Sequence, residues 1–295
     1  MKFWCDELRR KKKHNSLAES VTKTASLLQD YETDDALAEI KRMIAYIETE
    51  VVETSDVDVT KNTEDRIEAY LKRKENRGMR GLPTGFSQLD ALLKGLEKET
   101  LTTLIATTGV GKTWIQVIIG AYCQMQNCRV LQFVTEMSEE IMRDGYEAIL
   151  FAKFHGELNY NRFKSGTLDP ETERYFLDFL RDDLPNFEPL IIATAMGVMG
   201  VAASIEKYKP DIVFIDSAYL MEDDQGAKDD WLRVAHITRD LKKLAKRAKV
   251  PIFINTQADK NTSRKTGPEL GSIMYTQAIG QDSDNVLSLY RDEVS

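Results

Sequence analysis

Four stretches of this chain end an apolar run in residues that can bind or move charge. The first is Ala106-Thr107-Thr108-Gly109-Val110-Gly111-Lys112-Thr113. It follows a strand pattern and opens a helical one, the setting in which a glycine loop wraps phosphate groups. Gly109 and Gly111 let the backbone turn its N–H groups inward, Lys112 brings a positive charge, and Thr113 offers a hydroxyl to Mg2+. The start of the following helix adds a partial positive charge. Gly109, Val110, Gly111, Lys112, Thr113 and Trp114 are therefore the candidate phosphate-binding set. Such loops usually begin with glycine, and this one begins with Ala106. A chance glycine turn before a helix is the plain alternative, and Gly-Lys-Thr at that junction argues against it.

The second stretch, Asp211-Ile212-Val213-Phe214-Ile215-Asp216, is an apolar strand pattern closed by a carboxylate. In an open α/β sheet it places Asp216 at the edge where ligands bind, a position suited to holding Mg2+ through water. Alone, such an aspartate is a turn or cap residue; beside a phosphate loop the metal role is favoured. The third, Phe133-Val134-Thr135-Glu136-Met137-Ser138, ends a strand pattern in Glu136, a candidate base for an attacking water. Ser138 supplies the helix cap that Glu136 would otherwise be read as. The fourth, Phe253-Ile254-Asn255-Thr256-Gln257, ends in a neutral amide able to sense a terminal phosphate by hydrogen bonding, and it is the weakest of the four.

These residues need a scaffold that brings strand ends together. From Gly81 onward, strand patterns at Leu101–Ala106, Arg129–Thr135, Leu190–Ala193, Ile212–Asp216, Pro251–Thr256 and Asn285–Tyr290 alternate with helical ones. The helices are expected near Trp114–Gln126, Glu139–Phe154, Pro170–Arg181, Val201–Tyr208 and Leu232–Lys249. That alternation predicts a mostly parallel sheet covered on both faces. Residues 1–58 read as two amphipathic helices. The first starts at a capping box of Ser16 and Glu19, and the second follows Thr33-Asp34-Asp35. Such a hairpin buries little surface by itself. Residues 59–80 read as a linker with a charged helix near Glu64–Lys74, whose Ile67, Tyr70 and Leu71 share one face.

The net charge of −8 excludes attraction to nucleic acid over the whole surface, so any such contact must be local. Three cysteines without metal-ligand spacing point to a reducing, intracellular setting. No apolar run approaches the roughly 20 residues that span a bilayer, and Met1 to Lys13 lacks the apolar core of a secretory signal.

The signals also fall in a recognisable order. Pro83-Thr84-Gly85-Phe86-Ser87-Gln88-Leu89-Asp90 precedes the loop Ala106–Thr113, then Thr135-Glu136-Met137-Ser138 and Ile215-Asp216. Leu241-Lys242-Lys243-Leu244-Ala245-Lys246, Val250–Gln257 and Gln281-Asp282-Ser283-Asp284 follow. From about Thr60 to Ser295 the chain resembles the DnaB-type replicative DNA helicases of the wider RecA-like class, in which alanine at the first loop position is usual. The resemblance implies a RecA-like core over 81–295, preceded by a helical hairpin like the second half of the family's N-terminal domain and by a linker helix that packs on the next subunit. It implies a homo-hexameric ring on single-stranded DNA, ATP and Mg2+ as cofactors, 5′→3′ unwinding, and a primase and helicase loader as partners. By position it makes Glu136, Lys112 and Gln257 catalytic and gives Mg2+ to Thr113 and Asp216. Loops near Glu222–Asp230 and Asp259–Gly280 face the channel, and DNA contact falls to Lys260, Arg264, Lys265, Thr276 and Gln277 in the second. The setting it implies is the cytoplasm, that of a bacterial host if the chain is phage-encoded.

The chain departs from the family pattern at Met274-Tyr275, where an Arg-Glu pair is usual, and at Gly280, where a glutamate is usual. Glu222-Asp223-Asp224 is too acidic to touch phosphate. The pattern is also entered midway and left before the basic finger that reaches the neighbouring ATP, so an excised or incomplete segment is expected. The rival readings are a RecA-like recombinase or clock-type ATPase, and a truncated non-catalytic interaction protein.

Overall fold

The structure, a computed structural model, describes residues 2–50, 58–76, 78–195, 197–258 and 277–291. Two helices, α1 (Lys2–Gln29) and α2 (Thr33–Glu50), form the N-terminal hairpin. A third, α3 (Thr63–Glu75), carries the expected stripe, and Ile67, Tyr70 and Leu71 on it are each at least half exposed. The helix α1 runs straight through Ser16, so the capping box expected there does not form. No glycine or proline interrupts Lys2–Gln29, and serine disfavours a helix interior only by a few tenths of a kcal/mol. The hairpin closes around Ala36, and Lys23 bonds Glu39 across it at 2.7 Å.

The rest of the chain builds one sheet. In order come α4 (Ser87–Leu93), β1 (Leu101–Ala106), α5 (Lys112–Met125), β2 (Val130–Val134), α6 (Glu139–His155), α7 (Tyr160–Lys164), α8 (Pro170–Asp178) and β3 (Leu190–Ala193). Then follow α9 (Val198–Tyr208), β4 (Ile212–Asp216), α10 (Asp230–Ala248), β5 (Ile252–Gln257), α11 (Gln277–Asp282) and β6 (Asn285–Leu289). The six strands lie in the order β3-β2-β4-β5-β1-β6, and every described pairing is parallel. The sequence pattern marks these strands to within two residues.

It marks the helices less closely. α7 is an addition to the expected set; Asn159 starts it by accepting a bond from the Arg162 N–H. The helix expected to reach Arg181 is α-helical only to Asp178 and continues as wider turns through Asp183, with Phe179 wholly buried. The expected cap Ser138 accepts the Ile141 N–H, and Asp169 likewise caps α8 by accepting the Thr172 N–H.

Period-two alternation divides the core. In β4, Val213 and Ile215 face α9 and α10, packing with Val201, Ile237 and Leu241. Ile212 and Phe214 face the other way, toward Ile119 and Cys123 of α5. Beyond α5, an aromatic cluster of Phe151, Phe176 and Phe179 joins α6 to α8. Burial pushes the Cys123 and Cys128 thiols up, as expected for unreactive core cysteines. Among the described residues no helix is long and apolar enough to cross a membrane.

The turn before α4 is closed by one carboxylate. Asp90 accepts from the Thr84 N–H at 2.7 Å, the Thr84 hydroxyl at 2.8 Å and the Gly85 N–H at 3.3 Å. Gly85 has φ +84° and lies against the Tyr122 ring, so only glycine fits. Hydrogen bonds to a charged acceptor at a part-buried site outweigh a surface ion pair. Asp90→Ala is therefore expected to lower unfolding free energy by about 1–3 kcal/mol, read as a lower urea midpoint at unchanged slope; an unchanged midpoint would refute the clamp.

Candidate active site

Parallel strands deliver their C-terminal ends to one edge, and here four neighbouring ends carry the chemistry. β2 ends before Glu136, β4 ends in Asp216, β5 in Gln257, and β1 runs into the phosphate loop. Glu136 and the loop are consecutive signals in sequence, yet β4 and β5 lie between their strands. The helix α5 spans that gap to reach β2.

The loop has the conformation its glycines predict, with φ +81° at Gly109 and +104° at Gly111, where α5 begins. An added Cβ at either position would meet nothing, so backbone conformation rather than space demands glycine there. The Lys112 Nζ bonds the Ala106 carbonyl at 3.3 Å. Burial pushes its ammonium below the ordinary value, opposed by the nearby Glu136 and Asp216 carboxylates.

Asp216 is almost completely buried and is held by neutral donors. The Thr113 hydroxyl donates to its Oδ2 at 2.5 Å, and the Asn255 amide to its Oδ1 at 2.9 Å. The Ser217 hydroxyl lies 3.2 Å from Oδ1 and 3.2 Å from Glu136 Oε2. A hydroxyl and a carboxylate side by side are hard oxygen donors of the kind Mg2+ takes, with phosphate and water completing its shell. Thr113 and Asp216 thus fit the ion expected for them. The amide of Gln257 donates to the Thr108 hydroxyl, tying the end of β5 to the loop.

Trp114 is different. Its ring packs edge-on against Tyr160, centroids 5.0 Å apart, and over Gly145, so the side chain belongs to the α5–α6–α7 contact and not to the loop. Lys260, Arg264, Lys265 and Thr276, with the departures Met274 and Tyr275, lie outside the described residues. Gln277 is the first residue of α11, and Gly280 lies within that helix. A groove of about 460 Å³ between α6 and the β3 edge includes none of these residues.

Sequence reasoning missed the supports beneath the site. Gln116, wholly buried on α5, donates to the Ile215 carbonyl at 3.2 Å and the Phe253 carbonyl at 3.4 Å. Its oxygen lies 3.4 Å from the Gln132 amide, and Tyr146 donates to Gln132 at 3.0 Å. The β4–β5 ladder ends at Ile215–Ile254, so side chains take over where the two strands part. The available signal was two glutamines inside otherwise apolar runs, residues that remain buried only with partners.

A family model described as the DnaB-like helicase C terminal domain matches residues 81–295. The chain belongs to the DnaB-like helicase family. Among curated relatives, the replicative DNA helicase DnaB of Geobacillus stearothermophilus is 28% identical over 247 residues, 80% of this chain and 52% of that protein. That of Helicobacter pylori strain 26695 is 25% identical over 298 residues, 95% of this chain and 58% of the relative. The chain therefore spans little more than half the length of these relatives. Two solved structures share the fold. One, an isolated ATPase domain, has a TM-score of 0.67 at 20% identity, covering 79% of this chain and 83% of that one. The other, a DnaB-like replicative helicase described with its primase interactions, has a TM-score of 0.66 at 18% identity, covering 97% and 68%.

Several stretches that carried the DnaB resemblance hold the fold together. Lys242 reaches Asp284 at 2.5 Å and the Glu99 carbonyl at 2.9 Å, while Asp284 accepts from the Leu101 N–H at 2.7 Å. They fasten β6 and α10 to the start of β1. In the acidic loop, Asp223 accepts from the Gln225 and Ala227 N–H groups and pairs with His236 at 2.9 Å, and Asp224 accepts from the Met199 N–H. These two carboxylates are bonded within the fold.

Replacing Lys112 by alanine is expected to weaken binding of a fluorescent ADP analogue with Mg2+ by at least about tenfold, since a charged contact contributes about 1.4 kcal/mol or more. Trp114→Ala should leave that affinity within about threefold. The reverse order would place the nucleotide elsewhere.

Proposed function

We propose that this chain is the ATP-hydrolysing motor of a replicative DNA helicase, acting in the cytoplasm as a homo-hexameric ring that moves 5′→3′ on single-stranded DNA. The observation that supports this most is the meeting of Lys112, Thr113, Asp216, Glu136 and Gln257 at one sheet edge.

In this reading the loop N–H groups and Lys112 hold the ATP phosphates. Mg2+ on Thr113, with Asp216 behind a water, would neutralise charge on them. Glu136 takes a proton from a water whose oxygen attacks the γ-phosphorus, and the bond to the β–γ bridging oxygen breaks, releasing ADP and phosphate. Gln257 bonds the phosphate loop and precedes Lys260, Arg264 and Lys265 closely in sequence, so in this reading loss of the γ-phosphate is passed along the chain to the cations that grip DNA phosphates. Backbone contacts near Thr276 and Gln277 would add grip without reading bases. The apolar stripe on α3 suits a neighbouring subunit, and the hairpin suits a primase or a helicase loader.

ATP turnover with and without single-stranded DNA, on the parent and on Lys112→Ala, tests the motor. DNA is expected to stimulate hydrolysis severalfold, and the substitution to abolish it; turnover indifferent to both would sink the proposal. Changing Lys260, Arg264 and Lys265 together to alanine should flatten the log–log salt dependence of single-strand binding by about 2. An unchanged slope would move the DNA path to other residues.

A further inference from the structure

Ser217 lies in the gap between the two carboxylates and has no part in the roles assigned above. It is completely buried, and both of its backbone polar groups are tied to one side chain. Its N–H donates to the Thr135 hydroxyl at 2.7 Å, and that hydroxyl donates to the Ser217 carbonyl at 3.0 Å. The Thr135 N–H in turn donates to the Asp216 carbonyl at 2.8 Å. The ends of β2 and β4 are thereby stitched one residue beyond their last ladder pair, Val134–Asp216. Ser217 is a fixed point.

Glu136 is the opposite. It is exposed, on the first turn past a strand, with three side-chain torsions to lose on ordering. Its described hydrogen bond is the one from Ser217. The Ser217 hydroxyl carries one proton and faces two acceptors at equal distance. Asp216 Oδ1 already accepts from Asn255 at 2.9 Å, and Oδ2 from Thr113. The proton therefore does more for Glu136 Oε2, and it leaves Oε1 free to face a water.

We propose that Ser217 is a positioning residue that holds Glu136 Oε2 and sets the aim of its other oxygen at the attacking water. The proposal rests on the reading of Glu136 as the base. Misplacing a reacting group by about 1 Å can cost up to about 100-fold in rate, so one such bond is worth measuring. Asn255 belongs to the same arrangement, because its grip on Asp216 releases Ser217 for Glu136.

The test is a double-mutant cycle on the full chain with Ser217→Ala and Glu136→Gln, followed by ATP turnover. Ser217→Ala is expected to lower kcat about tenfold with KM for ATP changed less than twofold. In the Glu136→Gln background it should change kcat less than twofold. Ser217→Thr, which keeps the hydroxyl, should recover part of the loss. An equal fall in both backgrounds would mean that Ser217 merely supports the fold, and an unchanged kcat would mean that it does nothing for Glu136; either overturns the proposal.

A second readout does not need turnover. Capture of ADP with aluminium fluoride, a mimic of the transferring phosphoryl group, should weaken about tenfold in Ser217→Ala while capture of ADP alone is retained. Equal capture of the mimic overturns the inference. A parent whose turnover is lost with Lys112→Ala, yet is indifferent to Ser217→Ala, overturns this inference alone. A parent that neither hydrolyses ATP nor captures the mimic overturns the motor reading, and this inference with it.

Discussion

Parallel pairing gives every strand of this sheet one direction, so all their C-terminal ends meet the same edge. The rest of the structure depends on that constraint. Neighbouring parallel strands lie about 4.8 Å apart, so side chains on adjoining strand ends are within reach wherever they fall in sequence. Thr113 and Asp216 are separated by 103 positions and share a hydrogen bond. The helices cover the faces and leave that edge open, and the order β2-β4-β5-β1 sets a carboxylate, a buried aspartate, an amide and the phosphate loop side by side.

What the sequence disclosed follows from how local each feature is. The strands were legible because each is a short apolar run with polar ends. The phosphate loop was legible because its glycines must adopt positive φ, a requirement of the backbone itself. Helix boundaries were less so: α1 passes through a capping pattern that its neighbours override, and α9 begins three residues before its expected start, where Asp224 from a distant loop accepts an N–H. Trp114 adjoins the phosphate loop in sequence, but a side chain on a helix points by its turn, and this one points at Tyr160. Ser217 and Asn255 gave no signal of their own as supports, and Gln116 only that of an amide inside an apolar run. Their partners come from other strands, and pairings of that kind do not show as periodicity.

The N-terminal region and the sheet obey different rules. The sheet buries large apolar side chains on both faces and carries hydrogen-bonded glutamine, tyrosine and aspartate side chains between them. The hairpin joins its helices around alanine, threonine and a Lys23–Glu39 pair, with Val21, Leu28 and Leu37 left about half exposed. α3 buries none of its residues. Exposed apolar side chains of this kind set the N-terminal helices apart from the closed core of the sheet.

The glutamine–tyrosine network under the site also constrains how this sequence can drift. Gly120 lacks a Cβ where one would fall 2.4 Å from the Tyr146 oxygen, and Tyr146, Gln132 and Gln116 each satisfy the next. Replacing any one of the three by an apolar residue strands a buried amide or phenol, at about 1–3 kcal/mol. Replacing all of them together would still take the Gln116 amide away from the Ile215 and Phe253 carbonyls. The quartet is therefore expected to change only together with the strand ends that Gln116 bridges, and not one residue at a time.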